Sequence, residues 1–293
     1  NILATRAMQP ITKFAQLGAQ FTKAQQALQQ LEEFVRLPLE PDSGSARSRY
    51  AGQVELRDMA FLFPGSPSPL FENLTVKIGS GQIFVVVGNS GAGKTTLARI
   101  LVGLLDPVRG QVLVDGMDLR QVAPAWWRQQ IVYLPQEPTF LNATIAENLM
   151  AGNPDADLER VNQAINAAGL RSFVDESANG LDTQVADNGR QLAVGVRRSL
   201  ALARALMSDG RLVIIDEMFD GFDKDGRTAV NQALNRMVKE GRTVIIMSHK
   251  ANRMDGITAV IDLNSKPKPR ITHLSDVYRP ENIPPEAPED LEP

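Results

Sequence analysis

Between Phe14 and Val35 the apolar residues Phe14, Leu17, Phe21, Ala24, Leu28, Leu31 and Val35 recur at alternating spacings of three and four, with Gln, Thr, Lys and Glu among the positions between them. That period puts the apolar side chains on one stripe of a helix, predicted over 11–35. Pro10 suits its first turn, Pro38 and Pro41 stop it, and 38–52 reads as a linker. The stripe needs a surface to lie against, either its own domain or a segment that precedes it. From Gln53 the pattern changes. Apolar and polar residues alternate over 53–63 and again over 74–78, while 82–88 is a continuous apolar run suited to a buried strand. A helix is predicted to open at Lys94. Further strands are predicted at 111–116, 131–135, 211–217, 243–249 and 258–263, with helices at 157–168, 196–207 and 225–240. The sum is an α/β core with an antiparallel, strand-rich edge. The segment 279–293, rich in Pro and Glu, has too few apolar groups to offset its ordering entropy and is expected to be disordered.

Composition narrows the chemistry. There are 31 basic and 34 acidic side chains, a net charge of −3, so no basic excess points to nucleic acid. The absence of cysteine excludes a thiol nucleophile, a thiolate metal site and a disulfide framework. No apolar run approaches the roughly 18–20 residues needed to cross a bilayer. The chain begins with Asn1 rather than Met and lacks a basic-then-apolar leader, so it reads as a soluble piece cut from a longer protein.

Residues 88–96, Gly88, Asn89, Ser90, Gly91, Ala92, Gly93, Lys94, Thr95 and Thr96, match the glycine-rich phosphate loop in full, between an apolar strand and a helical pattern. Gly88, Gly91 and Gly93 let backbone N–H groups curl around a β-phosphate. The helix N-terminus adds a favourable dipole, Lys94 reaches the β- and γ-phosphates, and the Thr95 hydroxyl is a ligand for Mg2+. The strand "RLVIIDE" ends in Asp216 and Glu217, where one carboxylate can face a metal and the other an attacking water; taken alone, the pair reads equally as a helix cap. His249 ends the next apolar strand, which places it near the same crevice, although a solvated histidine is the plainer reading. His273 has no such company.

As a set, these motifs resemble the nucleotide-binding domain of ATP-binding cassette (ABC) proteins, over about 53–263. The exporter type, in which that domain follows a six-helix membrane domain on one chain, is the nearer likeness. The resemblance implies a P-loop NTPase core of ABC type with an antiparallel β edge subdomain and a helical subdomain. It implies this layout: 1–37 as the cytoplasmic end of a missing membrane domain, 38–52 as linker, 53–278 as the nucleotide-binding domain and 279–293 as tail. It implies ATP and Mg2+ as cofactors. Gln136, in "YLPQEP", resembles the glutamine that senses metal and water and contacts the membrane domain. Asp216 resembles the metal-side acid, Glu217 the catalytic base, His249 the switch residue on the γ-phosphate, and Asp223 the aspartate of a loop crossing the dimer interface. Phe63 stands where the family stacks an aromatic ring on adenine. Residues 143–152 resemble the exporter pattern after the glutamine loop. Residues 180–189 resemble the coupling segment, with Ala186 and Asp187 where Gly and Glu are usual. Partners would be a second nucleotide-binding domain and a transmembrane domain, at the cytoplasmic face of a membrane such as the bacterial inner membrane. The glutamine-rich helix is similar to that region of bacterial peptide and protein exporters.

One departure matters. The family signature Leu-Ser-Gly-Gly-Gln is replaced by "LAVGV" at 192–196. In the family this segment acts in trans on the γ-phosphate held by the other subunit. Ala193 lacks the hydroxyl, Val194 brings a β-branched side chain where close approach is needed, and Val196 lacks the amide. Losing one hydrogen bond to phosphate is worth about 1.5–3 kcal/mol. Intact cis residues with a degenerate signature fit one half of an asymmetric pair, whose partner carries an intact signature; a homodimer with two weakened sites is the competing reading. The sequence also loses the family's usual ending after His249, keeping Asp255 and a final strand, so a remodelled C-terminal edge is expected. Two other classes stand beside the exporter ATPase. A soluble cassette ATPase acting on macromolecules would need basic patches or a paired cassette. A structural subunit binding ATP with little turnover draws on the signature, against Glu217 and His249.

Overall fold

The computed structural model describes residues 2–36, 43–46, 49–217, 224–249 and 256–274, with backbone alone for 2–15 and 224–225. Asp223, Asp255 and the 279–293 tail lie outside the described residues.

Residues 1–41 form one unit and 42–293 another. In the first, helix α1 (Ile2–Val35) starts well before the expected 11, so Pro10 sits inside it and not in its first turn. A proline removes one helical hydrogen bond, and the segment before it, "ILATRAMQ", consists largely of good helix formers that carry the helix across the defect. The stripe residues Leu17, Phe21, Leu28 and Leu31 are exposed.

The second unit opens with β1 (Val54–Phe61), β2 (Phe71–Ile78) and β3 (Ile83–Val87), followed by α2 (Lys94–Val102), β4 (Arg109–Val114) and β5 (Met117–Asp118). Then come α3 (Pro124–Gln129), β6 (Ile131–Leu134), β7 (Ala143–Thr144), α4 (Ile145–Met150), α5 (Leu158–Ala167), α6 (Arg171–Glu176) and β8 (Gln184–Val185). It closes with α7 (Val194–Met207), β9 (Leu212–Asp216), α8 (Lys224–Lys239), β10 (Thr243–Ser248), β11 (Ile257–Asp262) and β12 (Arg270–His273). Among the described residues the strands form three sheets. One is antiparallel, in the order β2-β1-β4-β5; the central sheet runs β12-β11-β3-β10-β9-β6, parallel except for β12; a short ladder pairs β7 with β8.

The central strands are apolar on both faces because both faces are covered. Ile83, Val85, Val213, Ile215, Val244 and Ile246 join a core built with α4, α5, α7 and α8. Their alternates, Phe84, Val86, Leu212, Ile214, Ile245 and Met247, join the antiparallel sheet and α2 on the other side. The alternation of β2 is largely one-sided, as the sequence predicts, whereas in β1 it holds over Val54–Leu56 and breaks at the register shifts beyond, where Met59, Ala60 and Phe61 are all buried. Tyr50 belongs to this unit's core: it is buried, with its ring 5.2 Å from that of Trp127. The parallel register pairs Val87 with Ser248 and Asp216 with Met247, which brings three strand ends level. In an open parallel sheet that edge is where ligands sit.

Candidate functional site

The site is built where β3, β9 and β10 end. After Val87 the chain turns through 88–93 into α2, and Gly91 and Gly93 take left-handed φ values of 77° and 110°. A Cβ on Gly93 would come within 2.8 Å of the Leu70 side chain, and one on Gly88 within 2.7 Å of the Ala92 methyl. Gly93 caps α2 without a side-chain hydrogen bond, leaving first-turn N–H groups for an anion. Lys94 is buried, and its ammonium donates to the carbonyls of Gly88 at 2.5 Å and Asn89 at 3.0 Å.

Glu217 gathers the remaining polar groups. Its Oε1 lies 2.8 Å from Lys94 Nζ and 3.1 Å from His249 Nε2, while Oε2 accepts from Gln136 Nε2 at 2.8 Å. Its φ of 50° is left-handed, an uncommon state for a residue with a Cβ and one that concentrates at functional sites. Its N–H donates to Met247 O at 3.1 Å, which ties the end of β9 to β10. The adjacent Asp216 is fully buried, and neither carboxylate oxygen meets a hydrogen-bond donor at normal geometry. Burial pushes its carboxyl above the usual carboxylate range, with the Thr95 hydroxyl opposing and the Glu217 charge adding. Tyr133 is a further polar neighbour, its phenol pushed up to about 12 by burial and by the Asp216 charge.

Phe63, Leu70, Ser90, Gly91, Gly93, Lys94, Thr95, Thr96, Gln136 and Glu217 line one cleft of about 240 Å³. Of the residues singled out in the sequence, Gly88 and Ala92 are buried in the phosphate loop, Asn89 is exposed with its carbonyl accepting from Lys94, Asp216 is buried beside Glu217, and His249 reaches Glu217 from the end of β10. Phe63 is half exposed and packs edge to face on Phe61 at 5.0 Å. Two larger hollows, of about 560 and 680 Å³, lie elsewhere; size alone does not mark the site. Among the described residues no group of three or more His, Cys, Asp or Glu could hold a metal. The donor set of Thr95 hydroxyl, Asp216 carboxylate and Gln136 amide suits a small hard cation that takes most of its oxygens from phosphate and water. Sequence reasoning missed Leu70 and Tyr133, which no local motif marks.

The other segments singled out also meet. Residues 143–152 and 180–189 join through the β7–β8 ladder, Ile145 N–H donates to Thr183 O, and Phe140 N–H donates to Asn188 O. Arg204 of α7 stacks 5.0 Å over Phe140 and donates to Thr139 O at 3.1 Å. The loop carrying Gln136 is thereby tied to the 180–189 segment and to the helix behind "LAVGV". That helix begins at Val194, with Ala193 as an N-cap that makes no side-chain hydrogen bond. His273 contacts the Phe84 ring edge to face, away from this constellation.

The profile of the ABC transporter family matches residues 71–220. The chain belongs to the ABC transporter family. As such it is an ATP-binding, ATP-hydrolysing nucleotide-binding domain of the kind found in ABC-type exporters. It is 32% identical over 247 residues to the ATP-dependent lipid A-core flippase of Chromohalobacter salexigens, an alignment covering 84% of this chain and 42% of the flippase. It is 30% identical over 266 residues to the alpha-hemolysin translocation ATP-binding protein HlyB of Escherichia coli O157:H7, covering 90% of this chain and 38% of HlyB. With ABC transporter B family member 19 of Arabidopsis thaliana it shares 34% identity over 242 residues, 81% of this chain and 19% of the relative. The chain thus spans less than half the length of these relatives. The structure of a bacterial Atm1-family ABC exporter with ATP bound shares its fold, with a TM-score of 0.76 at 24% identity over 91% of this chain and 47% of that one. No helix among the described residues is long and apolar enough to cross a membrane.

Proposed function

We propose that this ABC domain is the ATPase motor of a membrane exporter and works at the cytoplasmic face of a bacterial inner membrane. In this reading it is one half of an asymmetric pair. The observation that carries the ATPase reading is the Glu217 carboxylate holding Lys94, Gln136 and His249 at the mouth of the phosphate cleft. Phosphate oxygens compete with Glu217 for the Lys94 ammonium. Once Lys94 turns to the β- and γ-phosphates, one Glu217 oxygen is free to accept a proton from the attacking water. Gln136 orients that water, His249 donates toward the γ-phosphate, and the Phe63 ring stacks on the base. Thr95, Asp216 and Gln136 would hold Mg2+, which when bound would supply neutralisation of the phosphate charge. The two unpartnered Asp216 oxygens support that assignment.

Asymmetry is supported by the N-terminus of α7, where Ala193 offers no hydroxyl and Val194 is half exposed. The partner is then a different chain with an intact signature, and coupling to the membrane domain runs through the Gln136 loop and 180–189. The helix α1 is read as the cytoplasmic end of that membrane domain, and 38–52 as its linker. Because the flippase and HlyB are named for a lipid and a protein cargo, cargo choice is assigned to the membrane segments. The deciding experiment is ATP hydrolysis across protein concentrations, by this chain alone and mixed with a chain bearing an intact signature, with Lys94→Ala as background. Turnover only in the mixture supports the asymmetric pair; rapid, steeply concentration-dependent turnover by this chain alone overturns it.

A further inference from the structure

The turn between β11 and β12 touches the nucleotide site from behind, at residues that none of the motifs contains. Leu263 N–H donates to Val87 O at 2.9 Å, at the entrance of the phosphate loop. Asn264 Oδ1 accepts the N–H of Asn89 at 2.8 Å, and its own N–H is held by Asp262 Oδ1 at 2.8 Å. The Lys266 ammonium donates to Ala92 O at 2.8 Å and also to Leu70 O. Pro267 O then accepts the N–H of Glu72 at 2.8 Å.

These contacts join two walls that belong to different sheets. Ala92 lies in the phosphate loop after β3 of the parallel sheet. Leu70 leads into β2 of the antiparallel sheet, is paired to Phe61 O, and lines the cleft together with Phe63. Lys266 is therefore a staple between the wall that faces the base and the loop that faces the phosphates. Lys266 is exposed as a residue, yet its ammonium is engaged by two carbonyls, and partial burial draws its pKa down.

We propose that Lys266 and Asn264 are positioning residues for ATP: they touch no part of the nucleotide and set the spacing between the base wall and the phosphate loop. The spacing governs how well one ligand satisfies both walls at once, so it acts on binding of the whole nucleotide more than on the hydrolytic step. A ligand that needs the phosphate loop alone is less sensitive to it.

The inference rests on the cleft binding ATP, and wild-type chain with a Lys94→Ala control reports on that separately. The experiment compares equilibrium binding of Mg-ATP and of Mg-tripolyphosphate, which has no base, in wild type, Lys266→Met and Lys266→Arg. Lys266→Met is expected to weaken ATP about tenfold and tripolyphosphate less than about threefold, with Lys266→Arg recovering most of the loss. Where turnover is measured with the partner chain, KM rises in parallel while kcat changes less than threefold. A double-mutant cycle with Phe63→Ala should be non-additive, because both residues act on the same wall. Asn264→Asp keeps the acceptor for Asn89 and Asn264→Ala removes it, so the first retains ATP affinity and the second loses it; thermal melts of all variants separate this from misfolding. Equal weakening of both ligands by Lys266→Met, or unchanged ATP affinity in a folded Lys266→Met, overturns the proposal.

Discussion

At the scale of residues, the site concentrates unfavourable free energy. Asp216 is a buried carboxylate that its neighbours Thr95 and Tyr133 do not meet at normal hydrogen-bond geometry, and Glu217 after it holds a left-handed backbone. Asp216→Asn is expected to raise the melting temperature of the nucleotide-free chain at neutral pH, because it removes a charge that burial disfavours. A gain of about 1 kcal/mol corresponds to roughly 2–4 °C in a domain of this size. The same variant should lose the further stabilisation that wild type gains from Mg-ATP, which calorimetry with and without ligand checks. Glu217→Gln keeps the shape of the side chain and removes both the proton acceptor and the ion pair to Lys94. Turnover is expected to fall about 10²- to 10⁴-fold, while ATP affinity holds or tightens because Lys94 no longer has a carboxylate to leave. Single-turnover kinetics beside equilibrium binding distinguish the two effects. The motif residues were legible because a loop that wraps a phosphate needs glycines at fixed offsets, and the strand before it carries its own apolar signal. Lys266 and Asn264 were not legible. Their partners Ala92 and Asn89 lie 174 and 175 positions away, and only the completed sheet brings them together.

At the scale of elements, the long buried strands were legible, while the short helices and the strands β5, β7, β8 and β12 were not. β3, β9 and β10 announce themselves as unbroken apolar runs, whereas α3, α4 and α6 have six residues each, under two turns, too few to display a 3.6-residue period. α4 did carry one local sign in the capping box of Thr144 and Glu147. The start of α7 bears on activity and stability together. Ala193→Ser supplies the missing cap, so it should stabilise the domain by about 1 kcal/mol in urea melts whether or not turnover changes. Adding Val194→Gly and Val196→Gln to it restores the three altered positions of the family signature. If "LAVGV" is what silences self-pairing, this triple variant alone raises turnover of the purified chain at least about tenfold; unchanged turnover places the defect elsewhere. The β7–β8 ladder and the Arg204–Phe140 stack tie α7 and the 180–189 segment to the residues that follow Gln136.

At the scale of the whole molecule, the core of the second unit begins at Tyr50 and is built from residues of that unit. Deleting residues 1–41 should therefore leave ATP affinity and the melting temperature of the remainder within experimental error. It should also reduce self-association, since Leu17, Phe21, Leu28 and Leu31 are exposed. Nucleotide titrations and light scattering on both lengths of chain check this. The stripe itself was plain in the sequence; the place where α1 begins was not, because a proline inside a helix reads locally as a start.

The strained pair at the end of β9 also bears on how long the molecule survives in a cell. A ligand that binds the folded cleft and not the unfolded chain, with a cation offsetting the buried Asp216 charge, adds to the stability of the domain, so ligand and folding are linked. Proteases act on the opened form, and its population rises as occupancy falls. The expected outcome is that Mg-ATP slows limited proteolysis of this chain and that Lys94→Ala abolishes the protection.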